Sequence, residues 1–182
     1  MATNKIYVNP GAIFAFLASA ATNAPSGATT IVWTPQNVAA SNGRISADLD
    51  RGSAAKPMRY AWRMRTKWAS APTSGDSARI YLIHADAIGD ATQCDGGWAS
   101  GLGSDSATAT EVPLLYQATY LGSVVSGGAL QAESASGICG IHARYVSVAM
   151  WNASVAGVAL SNTANDHIFT LTELPDEIEA AS

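Results

Sequence analysis

The sequence contains little charge, little cysteine and no long apolar run. Only 13% of its 182 residues are charged, two are cysteines, and 48% are hydrophobic. Such a chain has enough apolar material for a packed core, which excludes an intrinsically disordered protein, and its length suits one domain. The net charge of −4 disfavours nucleic-acid binding, because that requires a basic surface. Cys94 and Cys139 are too few for a disulfide framework, and the sequence leaves open whether they pair.

Motifs that carry catalysis or bind cofactors are missing too. The sequence has no G-x-S-x-G elbow, and Gly101–Gly103 lacks the third glycine of a phosphate-binding loop. Cys139 and His142 are spaced like half a zinc site, but on one strand they point to opposite faces. We therefore predict no cofactor, no metal and no enzymatic activity. The acids that keep calcium binding open are Asp86, Asp90, Asp95 and Asp105, and those that keep a hydrolase open are Asp48, Glu111, Glu133 and Glu173.

An apolar stretch lies near the start of the chain, at Gly11–Ala21. It is too short to cross a membrane, which takes roughly 20 residues, and we predict no membrane association. We interpret it as part of an N-terminal arm, residues 1–28, that is extended or short-helical. Such an arm folds back over its own domain or lies on a neighbouring subunit, and both arrangements bury the same side chains.

The clearest secondary-structure signal is Met58–Trp68, which reads MRYAWRMRTKW. Its even positions are mostly aromatic or methionine, whereas its odd positions hold four of the chain's ten basic residues. Because successive residues of a β-strand project to opposite faces, the segment predicts a strand with one packed and one cationic face. The packed face would hold Tyr60, Trp62 and Met64, and the cationic face Arg59, Arg63, Arg65 and Lys67.

Other segments have the alternating or β-branched composition of strands, and turn-forming clusters separate them. About eight short strands predict an all-β antiparallel β-sandwich, and this number favours a jelly-roll-like arrangement. The sandwich domain would span residues 29–175, followed by an acidic tail, residues 176–182. The other predicted strands are 29–34, 44–49, 79–85, 112–125, 130–134, 137–143, 145–152 and 167–174.

The segment Ala143–Glu179 resembles the small structural proteins of tailed-bacteriophage particles. The resemblance lies in R-Y-V-S near its start, the N-T-A-N-D-H loop and the P-D-E-I ending, and Met58–Trp68 has a similar look. It implies a virion protein. Jelly-roll proteins of this kind often act as decoration or cement proteins on the capsid surface, commonly as trimers, with the major capsid protein as partner.

We therefore expect a non-enzymatic virion protein that binds and stabilises the capsid shell as a homo-oligomer. Apolar arm residues would lie across neighbouring subunits, each buried large side chain contributing about 1.5–3 kcal/mol before ordering costs. Exposed arginines would set orientation by pairing with acidic groups of a partner. The predicted partner-binding residues are Ile6, Tyr7, Val8, Ile13, Phe14, Phe16, Leu17, Arg59, Arg63 and Arg65.

Two other hypotheses belong to different classes. One is a phage tail or baseplate component with a carbohydrate-binding β-sandwich. It rests on Trp33, Trp68 and Trp98, which lie near predicted strand ends or loops, where an exposed indole could stack on a sugar. The other is a free-standing hydrolase that would use the strand-borne acids.

Overall fold

The computed structural model describes residues 11–53, 57–88, 104–108, 111 and 118–174. Eleven β-strands and one 3-10 turn, Ala164–Asp166, are present in these ranges. The chain therefore has the all-β architecture that its composition and turn spacing predict. The strands are β1 (Ile13–Leu17), β2 (Thr29–Val32), β3 (Asn42–Ile45), β4 (Leu49–Asp50), β5 (Arg59–Thr66), β6 (Ser77–Ala85), β7 (Ser106–Thr108), β8 (Thr119–Val125), β9 (Glu133–Gly140), β10 (Tyr145–Asn152) and β11 (Ile168–Leu174).

The strands form two sheets that pack as a sandwich. The five-stranded sheet has the order β2-β1-β11-β5-β9, and the other sheet has the order β7-β3-β10-β6-β8, with β4 paired to β10. Antiparallel pairs are nested along the chain: β1 with β11, β3 with β10, β5 with β9, and β6 with β8. Nested pairing of eight strands in two sheets is the jelly-roll arrangement. The predicted fold class is confirmed.

The core lies between the two sheets and contains the inward-facing residues of both. Tyr60, Trp62 and Met64 on β5 are each at most 5% exposed, whereas Arg59, Arg63 and Arg65 at alternate positions of the strand are exposed. Every second residue of β5 thus faces the opposite sheet, as the alternation predicts. The bounds of this strand differ from the prediction only at its ends. The inward residues pack with Phe14, Phe16, Ile80, Leu82, Val124, Val148, Met150, Phe169 and Leu171.

One large side chain of this core needs glycines around it. Trp62 stacks on Phe169, with ring centroids 6.2 Å apart and an interplanar angle of 16°. A Cβ atom on Gly137 would lie 2.8 Å from Trp62 Nε1, and one on Gly122 would lie 3.1 Å from Trp62 Cη2. Gly122 on β8 and Gly137 on β9 therefore leave the space that the indole occupies between the two sheets.

The prediction of a separate N-terminal arm is wrong for residues 11–28. Residues Ile13–Leu17 form β1, an internal strand between β11 and β2. Phe14 and Phe16 are buried in the core of their own chain, and Leu17 is 4% exposed. The apolar stretch has no polar counter-face because β1 is covered on both faces.

Three further predictions need comment. Residues 130–134 and 137–143 do not form two strands, since the regular strand β9 spans Glu133–Gly140. The strand predicted at 79–85 is β6, and it is covered on both faces, because Ile80 through Ile83 are each at most 1% exposed. Among the described residues, none belongs to a helix with the length and hydropathy that a membrane crossing requires.

Candidate binding face

The outer face of the five-stranded sheet carries the cationic row that the sequence predicts. Arg59, Arg63 and Arg65 are exposed, and none of their side chains makes a hydrogen bond or ion pair with another described residue. Arg63 lies opposite Thr170 and Arg65 opposite Ile168 in the β5–β11 pairing. Since directly opposite residues of a pair project to the same face, these four side chains share one surface.

A groove of about 250 Å³ lies on this surface. Its volume is below the usual range of drug-sized pockets, so it suits a contact with one or two side chains or with a sugar ring. Among the described residues that line it, two guanidinium groups carry the charge, and the remainder are apolar or neutral. The lining residues are Asn23, Pro25, Arg63, Arg65, Ile168 and Thr170.

The wall of the groove is the connection between β1 and β2. Asn165 Oδ1 accepts a 2.7 Å hydrogen bond from the Thr22 backbone N–H, and Asn165 O accepts one of 2.9 Å from Asn23 Nδ2. Asn165 Nδ2 also donates to Thr22 Oγ1 at 3.1 Å. These bonds hold the connection against the turn that precedes β11. They leave Asn23 Oδ1 buried and without a hydrogen-bond donor among the described groups.

The arginines of the groove differ from three others, each of which is held by a carboxylate. At Arg144, the guanidinium donates two hydrogen bonds of 2.8 Å to Asp50 and lowers the pKa of that carboxyl to about 2. Arg63 and Arg65 have no such described partner and present their donors to solvent. The three ion pairs are Arg44–Asp105 at 2.6 Å, Arg79–Glu111 at 2.9 Å and Arg144–Asp50 at 2.8 Å.

A second cavity, of about 240 Å³, lies beside the buried Arg51. The Arg51 guanidinium donates to Tyr60 Oη at 3.0 Å and to the backbone carbonyls of residues 57, 141 and 143. The Tyr60 hydroxyl donates in turn to Glu173 Oε1 at 3.3 Å, and burial raises the pKa of Tyr60. Arg51 thus ties three segments together, and no local pattern in the sequence marks it as buried.

His167 and Cys139 are buried groups of the fold. His167 is fully buried, with Nδ1 2.8 Å from Thr66 Oγ1 and Nε2 3.0 Å from the Ser161 carbonyl oxygen, and burial lowers its pKa. Burial also raises the pKa of the Cys139 thiol to about 11. No group of three or more metal-ligating side chains occurs among the residues that the structure describes.

The structure separates the predicted partner-binding residues into three sets. Arg63 and Arg65 share the groove, whereas Arg59 lies farther along the same face, opposite Leu174. For the apolar residues that the structure describes, the prediction of a contact with another subunit is wrong. Ile13 is half-buried in β1, and Phe14, Phe16 and Leu17 are buried in their own domain. They therefore cannot bury themselves on another subunit. Ile6, Tyr7 and Val8 lie outside the described residues.

The tryptophans do not support sugar stacking as the sequence predicts it. Trp33 and Trp68 are core residues, 0% and 1% exposed, so neither indole can stack on a bound sugar. Trp98 lies outside the described ranges. Sequence reasoning missed four lining residues, which meet the arginines through contacts distant in the chain: Asn23, Pro25, Ile168 and Thr170.

Comparison with known proteins identifies no family for this chain. No family model matches the chain, and no curated protein matches it. Among solved structures it is similar to a family 35 carbohydrate binding module from an environmental isolate. The TM-score is 0.36 and the identity 11%, over 98% of this chain and 96% of that one. At these values the similarity supports no inference about a ligand of this chain.

Proposed function

We propose that the chain is a non-enzymatic structural protein of phage particles, a decoration or cement protein that binds the capsid shell as a homo-oligomer. The observation that supports this proposal is the outer face of the five-stranded sheet, where Arg59, Arg63 and Arg65 are exposed and unpaired within the described structure. Guanidinium groups bind carboxylates through two parallel hydrogen bonds, so this face suits an acidic protein surface. The resemblance of Ala143–Glu179 to phage structural proteins favours the same class.

The mechanism is mechanical and electrostatic. The arginines are fixed on a strand in the interior of a sheet, so binding requires ordering of their side chains but not of the backbone. Complementary charge raises the association rate and orients the contact, more than it adds affinity. Repetition over a symmetric shell then turns modest single contacts into stable attachment through multivalency.

Location in the particle tests this function. Antibody labelling of the chain on intact particles, viewed by electron microscopy, should decorate the shell on all sides. The control is the same labelling on particles assembled without the chain. Label confined to the tail would replace the proposal with the tail or baseplate function, and absence of label from purified particles would overturn both.

The second candidate function is glycan binding by a tail or baseplate component. The observation that favours it is the groove, because the Arg63 and Arg65 guanidinium groups lie there beside Pro25 and Ile168 and could bind the carboxylate of an acidic sugar. A glycan array would test it, with Arg63→Ala expected to remove binding of acidic sugars. An array with no binder would remove this candidate.

A further inference from the structure

We infer that the groove binds the acidic tail of a second copy of this chain, with Glu177 and Glu179 paired to Arg63 and Arg65. The inference rests on the proposed homo-oligomeric function and names the contact between copies. The charged groups of the groove are all basic, whereas those of the tail are all acidic: Asp176, Glu177 and Glu179.

The spacing of the charges matches. Arg63 and Arg65 are two residues apart on one strand and share its outer face, so their Cα atoms are about 6.6 Å apart. In an extended peptide, residues 177 and 179 have the same separation and project to the same side. A tail laid along β5 therefore brings one glutamate to each arginine.

The groove offers more than charge to an extended peptide. Pro25 and Ile168 supply apolar surface beside the two guanidinium groups. A single small anion would satisfy the arginines but would bring no side chains for these apolar groups.

Chain direction favours a second copy over the tail's own groove. Strand β11 runs from Ile168, opposite Arg65, to Leu174, opposite Arg59, so it ends at the end of β5 away from the groove. The tail of the same molecule would have to turn back over its own sheet to lie along Arg63 and Arg65, whereas the tail of a second copy can approach the groove directly.

Charge reversal in the full chain tests this pairing by sedimentation equilibrium over a range of protein concentrations. The unmodified chain should self-associate, and added salt should weaken the association. Glu177→Lys with Glu179→Lys should weaken it at least about tenfold, and so should Arg63→Glu with Arg65→Glu. All four substitutions in one chain should restore it, since each reversed groove then meets a reversed tail. The matched control is Asp176→Lys, which alters the opposite side of the extended segment and should have a smaller effect.

Three outcomes would overturn the inference: a monomeric unmodified chain at every concentration, self-association that survives either reversed pair, or failure of the fourfold variant to regain it. Circular dichroism of each variant verifies that the fold is intact. Shell binding is measured separately with the same proteins. If the tail variant keeps both self-association and shell binding, the tail contact is wrong while the proposed function stands.

Discussion

The two faces of β5 carry side chains of similar length in entirely different surroundings. Tyr60, Trp62 and Met64 face the opposite sheet and are fully or almost fully buried. Arg63 and Arg65 project the other way from the same backbone, into a solvent-exposed groove. The inner row, Tyr60, Trp62 and Met64, therefore contributes to stability through buried area. The outer row, Arg63 and Arg65, is free to serve recognition because the fold does not depend on it.

The largest effect on stability should come from removing β1, which contributes Phe14 and Phe16 to the core between the sheets. Deletion of residues 1–22 removes an internal strand and two buried aromatic rings, each contributing roughly 1.5–3 kcal/mol, from a total stability of about 5–15 kcal/mol. We expect no cooperative thermal transition in circular dichroism. A deletion variant that unfolds cooperatively would restore the interpretation of this segment as a detachable arm.

The inner row should also be sensitive to a single added methyl group. Gly137→Ala places a Cβ atom 2.8 Å from Trp62 Nε1 and should lower the free energy of unfolding by about 1–3 kcal/mol in urea titration. The matched control is Gly140→Ala on the same strand. There the nearest atom, 3.3 Å away, belongs to the exposed and movable His142 ring, so we expect a smaller loss. Equal losses for both variants would show that Trp62 is not confined as described.

The buried His167, which is hydrogen-bonded to Thr66 at the end of β5, should make the free energy of unfolding depend on pH. Burial lowers the pKa of His167, which is bonded to Thr66, so the unfolded chain binds a proton more readily than the folded one. Stability should therefore fall as pH is lowered through the ordinary histidine pKa of about 6.5. Urea titrations at pH 7.5 and 5.5 measure this loss. His167→Gln, although less stable, should show a flatter pH dependence between these values, and an unchanged slope would exclude His167 as its source.

The smallest effect on stability is expected on the outer row. Arg63→Ala and Arg65→Ala remove exposed side chains that have no bonded partner among the described residues. Each variant should unfold within about 0.5 kcal/mol of the unmodified chain in the same titration. A larger loss from either substitution would mean that the outer face takes part in holding the fold, and the contrast between the two faces would weaken.

The sequence predicts β5 well because its two faces differ in chemistry at every residue. It misses β1 because burial on both faces removes the alternation that identifies a strand, leaving an apolar run like that of an arm. It divides β9 in two because serine, alanine and glycine there have weak strand preference. Both errors arise where the local pattern is weak or absent, so that pairing with distant segments decides the structure.

The candidate site was predictable only in part for the same reason. Arg63 and Arg65 are visible in the alternating pattern of β5, but the wall that makes their surface a groove is not. That wall depends on hydrogen bonds between Thr22 and Asn165, which lie 143 residues apart. Sequence spacing carries no signal for such a contact, and the same holds for the carbonyl oxygens that surround Arg51.

The central claim is that the exposed arginines of β5 are required for stable attachment to the shell, with Arg63 and Arg65 acting through the contact between copies on which multivalent attachment depends. Its most direct test is co-sedimentation of the chain with isolated shells, comparing the unmodified protein with Arg63→Glu combined with Arg65→Glu. Arg59→Glu serves as a control on the same face but outside the groove. The double variant should lose shell occupancy by at least about tenfold while its circular dichroism stays unchanged, and Arg59→Glu should lose less. Undiminished occupancy of the correctly folded double variant would contradict the claim.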